Sequence, residues 1–132
     1  MNDLYLAMAD LDMAATFHWP DEPEWVVAAD MDTQNLPRWR SATIPACAME
    51  LIQPLVVARQ AEAARVPVLL VYGEVDVTPE PLVDLTVFRS TRDLSMLLVP
   101  AMARMHNFAA TRHQVWTRLE VFAQQVLAQS QV

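Results

Sequence analysis

Val68 to Tyr72 is an unbroken apolar run that follows Pro67 and stops at Gly73. A run this short, rich in β-branched residues and without alternation, predicts a strand buried on both faces. Ser95 to Val99 is a second such run and stops at Pro100. Between them, Pro81 to Arg89 carries Leu82, Val83, Leu85, Val87 and Phe88 and predicts a helix. Beyond the second strand, Thr111 opens a long terminal helix. Val115, Leu119, Phe122 and Val126 step by four, three and four along it, so one apolar stripe, widened by Trp116 and Leu127, faces a sheet.

The first half of the chain is patterned differently. Asp3 to Phe17 places Leu4, Leu6, Met8, Leu11 and Met13 among few breakers and predicts one helix. His18, Trp19, Pro20 and Pro23 end it, with Asp21, Glu22 and Glu24 forming an acidic turn. Trp25 to Asp30 predicts a second, short helix, and Asp30 to Arg40 an irregular stretch anchored by Leu36, Pro37 and Trp39. Ile44-Pro45 begins a helix through Ile52, since proline is tolerated in a first turn. Pro54 restarts the pattern, and a helix over Leu55 to Arg65 runs up to the strand. The seam falls before Val68, dividing a helical region, 1–65, from an α/β region, 66–132.

Composition narrows the possibilities. Hydrophobic residues make up 54% of 132, with a mean hydropathy of +0.17, yet no apolar run approaches the roughly 18 residues of a membrane span. The excess suggests a chain that expects more protein around it, and a membrane partner is not expected. Nine basic against sixteen acidic residues leave a net charge of −7, which argues against nucleic acid and anionic membranes. Leu4 to Met8 lacks a basic segment ahead of it, so no secretory signal is read. Cys47, the one cysteine, excludes an intrachain disulfide and fits a cytoplasmic location.

The chemistry gathers at the strand ends. Gly73, the one glycine, stands where the first strand meets its loop, a place for φ above zero. Glu74 and Asp76 follow it at the strand's carboxyl end, where open α/β sheets carry functional groups. His106 lies in the loop after the second strand. The bland reading is a core strand with a solvated acidic turn and a loop histidine bonded to backbone. His18 and His113 read as cap and helix-surface residues, and their spacing with the acids matches no metal signature.

VPVLLVYGEVDVTPEP (66–81) resembles the acid-bearing strand and loop of the α/β-hydrolase superfamily, and SMLLVPAMARMHNFAATR (95–112) is similar to its last strand and histidine loop. The resemblance covers Ile44 to the C-terminus, with looser similarity before it. It implies an α/β fold that is part of the α/β-hydrolase fold: helical cap elements over 1–65, then strand, helix, strand and helix. The implied activity is hydrolysis of an ester or similar acyl bond by a Ser-His-Asp triad, on a small-molecule substrate and without a cofactor. Asp76 would be the acid and His106 the base, with Glu74 as rival acid; the family's usual histidine position falls at Arg104. The G-x-S-x-G elbow is missing, because Ser41, Ser90, Ser95 and Ser130 have no glycine within two positions. Cys47, Asp76 and His106 repeat the nucleophile–acid–histidine order, but Cys47 lacks an elbow and reads as a small buried hydrophobe. The chain would then be the cap and closing portion of the fold: a fragment, a frame begun at an internal methionine, or a degenerate product. The alternative is a non-catalytic remnant or interaction module that self-associates through exposed strand edges.

Overall fold

The computed structural model describes residues 5–7, 13–34, 41–51, 53, 55–78 and 80–130. They form a mixed α/β arrangement containing a parallel strand pair.

That pair is built from β3 (Val68–Gly73) and β4 (Leu94–Val99), in register from Val68 opposite Leu94 to Gly73 opposite Val99. The crossover between them holds α5 (Pro81–Leu85), with Pro81 at its first turn. Tyr72, on β3, ties this helix to the sheet by donating its hydroxyl hydrogen to Asp84 Oδ2 at 2.8 Å. Burial, reinforced by the Asp84 carboxylate, holds the Tyr72 pKa above its ordinary value, so the phenol remains the donor. The helix expected through Arg89 ends early. Thr86 turns its hydroxyl back onto the Val83 carbonyl at 2.7 Å, a bond that competes with further helical winding.

β3 is half-buried along its length and only Gly73 is fully buried, which corrects the expectation of a strand covered on both faces. The physical reason is width: this sheet is two strands wide among the described residues, so its flanks are not enclosed. Leu98 of β4 is 50% exposed. The terminal helix α6 (Arg112–Gln129) repeats the theme: Val115 is buried, whereas Leu119 is 47% exposed. Its apolar stripe is therefore fully buried only at Val115, with Phe122 and Val126 half-buried further along. The core comprises Val99, Met102, Ala109 and Val115, with Val71 and Leu97 packed against them. It lies at the carboxyl ends of the strands, directly beneath the loops that bear Asp76 and His106.

The first half departs most from its pattern. Tyr5 to Ala7 lies in a strand, β1 (Tyr5–Ala7), paired antiparallel with β2 (Thr43–Pro45), Leu6 opposite Ile44. Two expected helices are corrected here. The one over Asp3 to Phe17 survives, among described residues, only as α1 (Met13–Phe17), and the one from Ile44 is confined to α3 (Ala48–Leu51). Thr43 and Ile44 are β-branched, and a residue before proline avoids the helical region, so Ile44 ahead of Pro45 favours extended backbone once a partner strand is present. The predicted short helix is α2 (Glu24–Met31). Of the helix expected over Leu55 to Arg65, α4 (Ala58–Glu62) forms, and Leu55 adopts φ 61, outside the right-handed region. The anchors expected at Leu36, Pro37 and Trp39 lie outside the described residues.

No helix among the described residues is long and apolar enough to cross a membrane.

Candidate functional site

The loops after β3 and β4 are stitched together by backbone. Glu74 N–H donates to the Val99 carbonyl at 3.0 Å, and Val75 N–H to the Met102 carbonyl at 3.1 Å. Gly73 makes this approach possible, though not as expected, since its φ is not positive. A β-carbon at position 73 would lie 2.5 Å from Met102 O and 2.9 Å from Ala103 O, both backbone atoms. Glycine is needed here for proximity. The left-handed residue of this region is instead Ala101, at φ 50, two positions past the end of β4. Its N–H donates to Glu74 Oε2 at 2.9 Å, and its carbonyl accepts from Thr111 Oγ1 at 3.1 Å. Glu74, the rival acid, is thus occupied in clamping the turn that leads to the histidine loop. Thr111 serves the same turn rather than capping α6 through its side chain.

This frame brings Asp76 and His106 together. His106 Nε2 donates to Asp76 Oδ2 at 3.2 Å. Asp76 is almost enclosed, its side chain 2% exposed, and it collects further donors: Val77 N–H at 2.7 Å, Gly73 N–H at 3.3 Å and Arg104 at 3.2 Å. Burial alone would raise its pKa. The backbone donors of Val77 and Gly73, then His106 and Arg104, outweigh it and hold the carboxyl below its ordinary value. The His106 side chain is 24% exposed, so the ring is reachable from outside. No partner faces its Nδ1 among the described residues, leaving one nitrogen bound to the acid and the other open. An open nitrogen on an oriented imidazole is what a general base requires.

Arg104, where the resembled family has its usual histidine, shares the Asp76 carboxylate with His106. The two side chains take different oxygens, so the guanidinium does not displace the ring. Cys47 is exposed, in the turn between β2 and α3, which corrects the picture of a buried small hydrophobe. Pro45 ends β2 just before it, so the cysteine sits in a turn instead of a packed helix. His113 is exposed on α6, edge-on to Trp116, as its helix-surface reading implies.

His18 is the residue that pattern reading underrated. It is 5% exposed, with Nδ1 2.6 Å from Glu22 Oε2 and Nε2 2.9 Å from Asp30 Oδ2. Glu22 is also buried and accepts from Trp19 N–H through its other oxygen at 3.1 Å. The spacing of four between His18 and Glu22 was the available signal; Asp30 is joined only by tertiary packing. A cavity of about 280 Å³ adjoins this cluster, lined by Trp25, Val26, Ala29, Asp30 and Phe108. Among the described residues no group of three or more His, Cys, Asp and Glu is arranged to hold a metal ion. No family model, curated protein or solved structure matches the chain.

Proposed function

We propose that this chain carries the acid and histidine of an α/β-hydrolase, serving hydrolysis of an ester or similar acyl bond, with the serine supplied by sequence outside it. The observation that carries the reading is the 3.2 Å contact of His106 Nε2 with Asp76 Oδ2, formed beyond the carboxyl ends of two adjacent parallel strands. In such a site the histidine takes the nucleophile's proton and later returns it to the leaving group. The acid holds the ring and stabilises its charged form. In the serine-protease template the acid meets Nδ1 and the other nitrogen works. Here Asp76 meets Nε2, so the working nitrogen is Nδ1. Asp76 suits its role because its donors favour the ionised state. The uncovered apolar surface of Leu98 and Leu119 supports a larger sheet and helix layer around this portion. The cavity between Trp25 and Phe108 offers an apolar wall for a small-molecule substrate. The exposed thiol of Cys47 suits a reducing cytoplasm.

A second reading is favoured by the same exposed strand: a non-catalytic module that self-associates through β4. One comparison separates the two. A fluorophosphonate probe and an activated ester are applied to the isolated chain and to a version extended upstream in its gene. On the hydrolase reading the isolated chain stays unlabelled, because an acid and base without nucleophile or oxyanion donors lack the parts for acyl transfer. A single missing donor already costs about a hundredfold. The extended chain is labelled at one serine, and His106→Ala abolishes its turnover. An extended chain that stays unlabelled, or one whose turnover ignores His106→Ala, would contradict the reading and favour the self-associating module.

A further inference from the structure

We infer that His18 is a positioning residue for His106: the polar cluster His18–Glu22–Asp30 fastens α1 and α2 together and holds the histidine loop from behind. The inference rests on the proposed role of His106, but its geometry stands apart from any chemistry there. The backbone N–H groups of Arg104 and Met105, the two residues before His106, donate to the carbonyls of Thr16 and Phe17 at 3.2 and 2.8 Å. Those carbonyls belong to the last turn of α1, where a helix leaves its acceptors without internal partners. The loop supplies the missing donors, so the helix end and the loop satisfy each other.

His18 follows α1 immediately, its own N–H donating to the Ala14 carbonyl at 2.8 Å. Its ring stacks on Phe108, two residues after His106, with centroids 6.1 Å apart. The loop is therefore gripped on both sides of His106: by α1 carbonyls before it and by the His18 ring after it. What fixes that ring is the carboxylate at each nitrogen, one from the turn before α2 and one from α2 itself. Removing His18 leaves two carboxylates facing each other and takes away the surface on which Phe108 rests. The consequence reaches His106 through the loop, with no direct contact to Asp76.

The test is nuclear magnetic resonance on the full chain, reading amide exchange at Arg104 and Met105 and the tautomer of the His106 ring. In His18→Gln we expect exchange at both amides to rise at least tenfold. The His106 ring should lose its Nε2–H preference, while strand amides of 68–73 and 94–99 keep their protection. Glu22→Gln, which keeps an acceptor for Nδ1–H, should preserve the His106 tautomer where Glu22→Ala does not, an outcome that mere loss of packing would not give. If His18→Gln fails to fold, Phe108→Leu removes only the stacked ring and is expected to shift the same signals. Unchanged exchange and tautomer in a folded His18→Gln, or in Phe108→Leu where His18→Gln does not fold, would overturn the inference. Asp76→Asn keeps the two readings apart: it should disturb the His106 tautomer and leave exchange at Arg104 and Met105 as in the parent chain.

Discussion

Two histidines meet carboxylates in this chain, and the difference lies in what each ring has left over. His18 is enclosed and spends both nitrogens on carboxylate oxygens, at 2.6 and 2.9 Å. His106 spends one, at 3.2 Å, and its side chain remains 24% exposed. The acids differ too. Asp76 has backbone donors of its own from Gly73 and Val77, so it is satisfied without the histidine. Glu22 has one backbone donor, Trp19 N–H, on its second oxygen, and its first depends on His18. A saturated histidine holds structure together, whereas one with a spare nitrogen can move a proton. Burial by itself would point to His18, the ring with no nitrogen to spare.

The largest expected effect tests the frame under the open ring. Gly73→Ala sets a methyl 2.5 Å from the Met102 carbonyl oxygen, a backbone atom that cannot rotate away. The two site loops must separate, at a loss of about 3 kcal/mol in urea unfolding. The Asp76–His106 contact should go with it. Retention of full stability would mean that the loops are not held as closely as described.

The next effect sharpens the contrast itself. His18→Ala takes the shared ring away from two buried or half-buried carboxylates and should destabilise by about 2 kcal/mol, below the range for a fully buried pair because Asp30 is part-exposed. His106→Ala leaves Asp76 with Val77, Gly73 and Arg104 and should lose less than about 1 kcal/mol. Equal losses, measured by the same urea titration, would erase the distinction between the two sites.

Acid provides a third test. The pKa of Asp76 is lower folded than its ordinary value of 3.8. Its contribution is therefore present above about pH 4 and fades as pH falls through the lower folded value. In Asp76→Asn, the decline of stability below pH 4 should be shallower than in the parent. The smallest effect is chemical. Diethyl pyrocarbonate, followed by mass spectrometry, should modify exposed His113 and half-open His106 well before His18. Comparable rates at His18 would contradict its closure.

The legible part of the fold was the part written in short-range pattern. The apolar runs at Val68 and Ser95 and the four–three–four steps of the last helix became β3, β4 and α6 with shifts of one residue or so. Their apolar character marks strands whatever their neighbours do. Tyr5 to Ala7 and Ile44-Pro45 carry a helix-like local pattern, yet the segments around them are extended because each pairs with the other, with Leu6 and Ile44 facing across 38 residues of sequence. Such pairing leaves little trace in a local window. The same holds within the site. Asp76 and His106 could be nominated from loops at strand ends, while the grip of Thr16 and Phe17 on the histidine loop needed coordinates. Gly73 was singled out correctly for a wrong reason, since its lack of a β-carbon matters and its φ does not.

The most direct test of the central claim is the nitrogen-15 spectrum of the His106 ring in the neutral state, assigned with His106→Ala. The geometry predicts a hydrogen on Nε2, held by Asp76 Oδ2, and a bare Nδ1 ready to accept a proton, with the preference lost in Asp76→Asn. A hydrogen resident on Nδ1, or a ring averaging freely between tautomers in the parent chain, would contradict it.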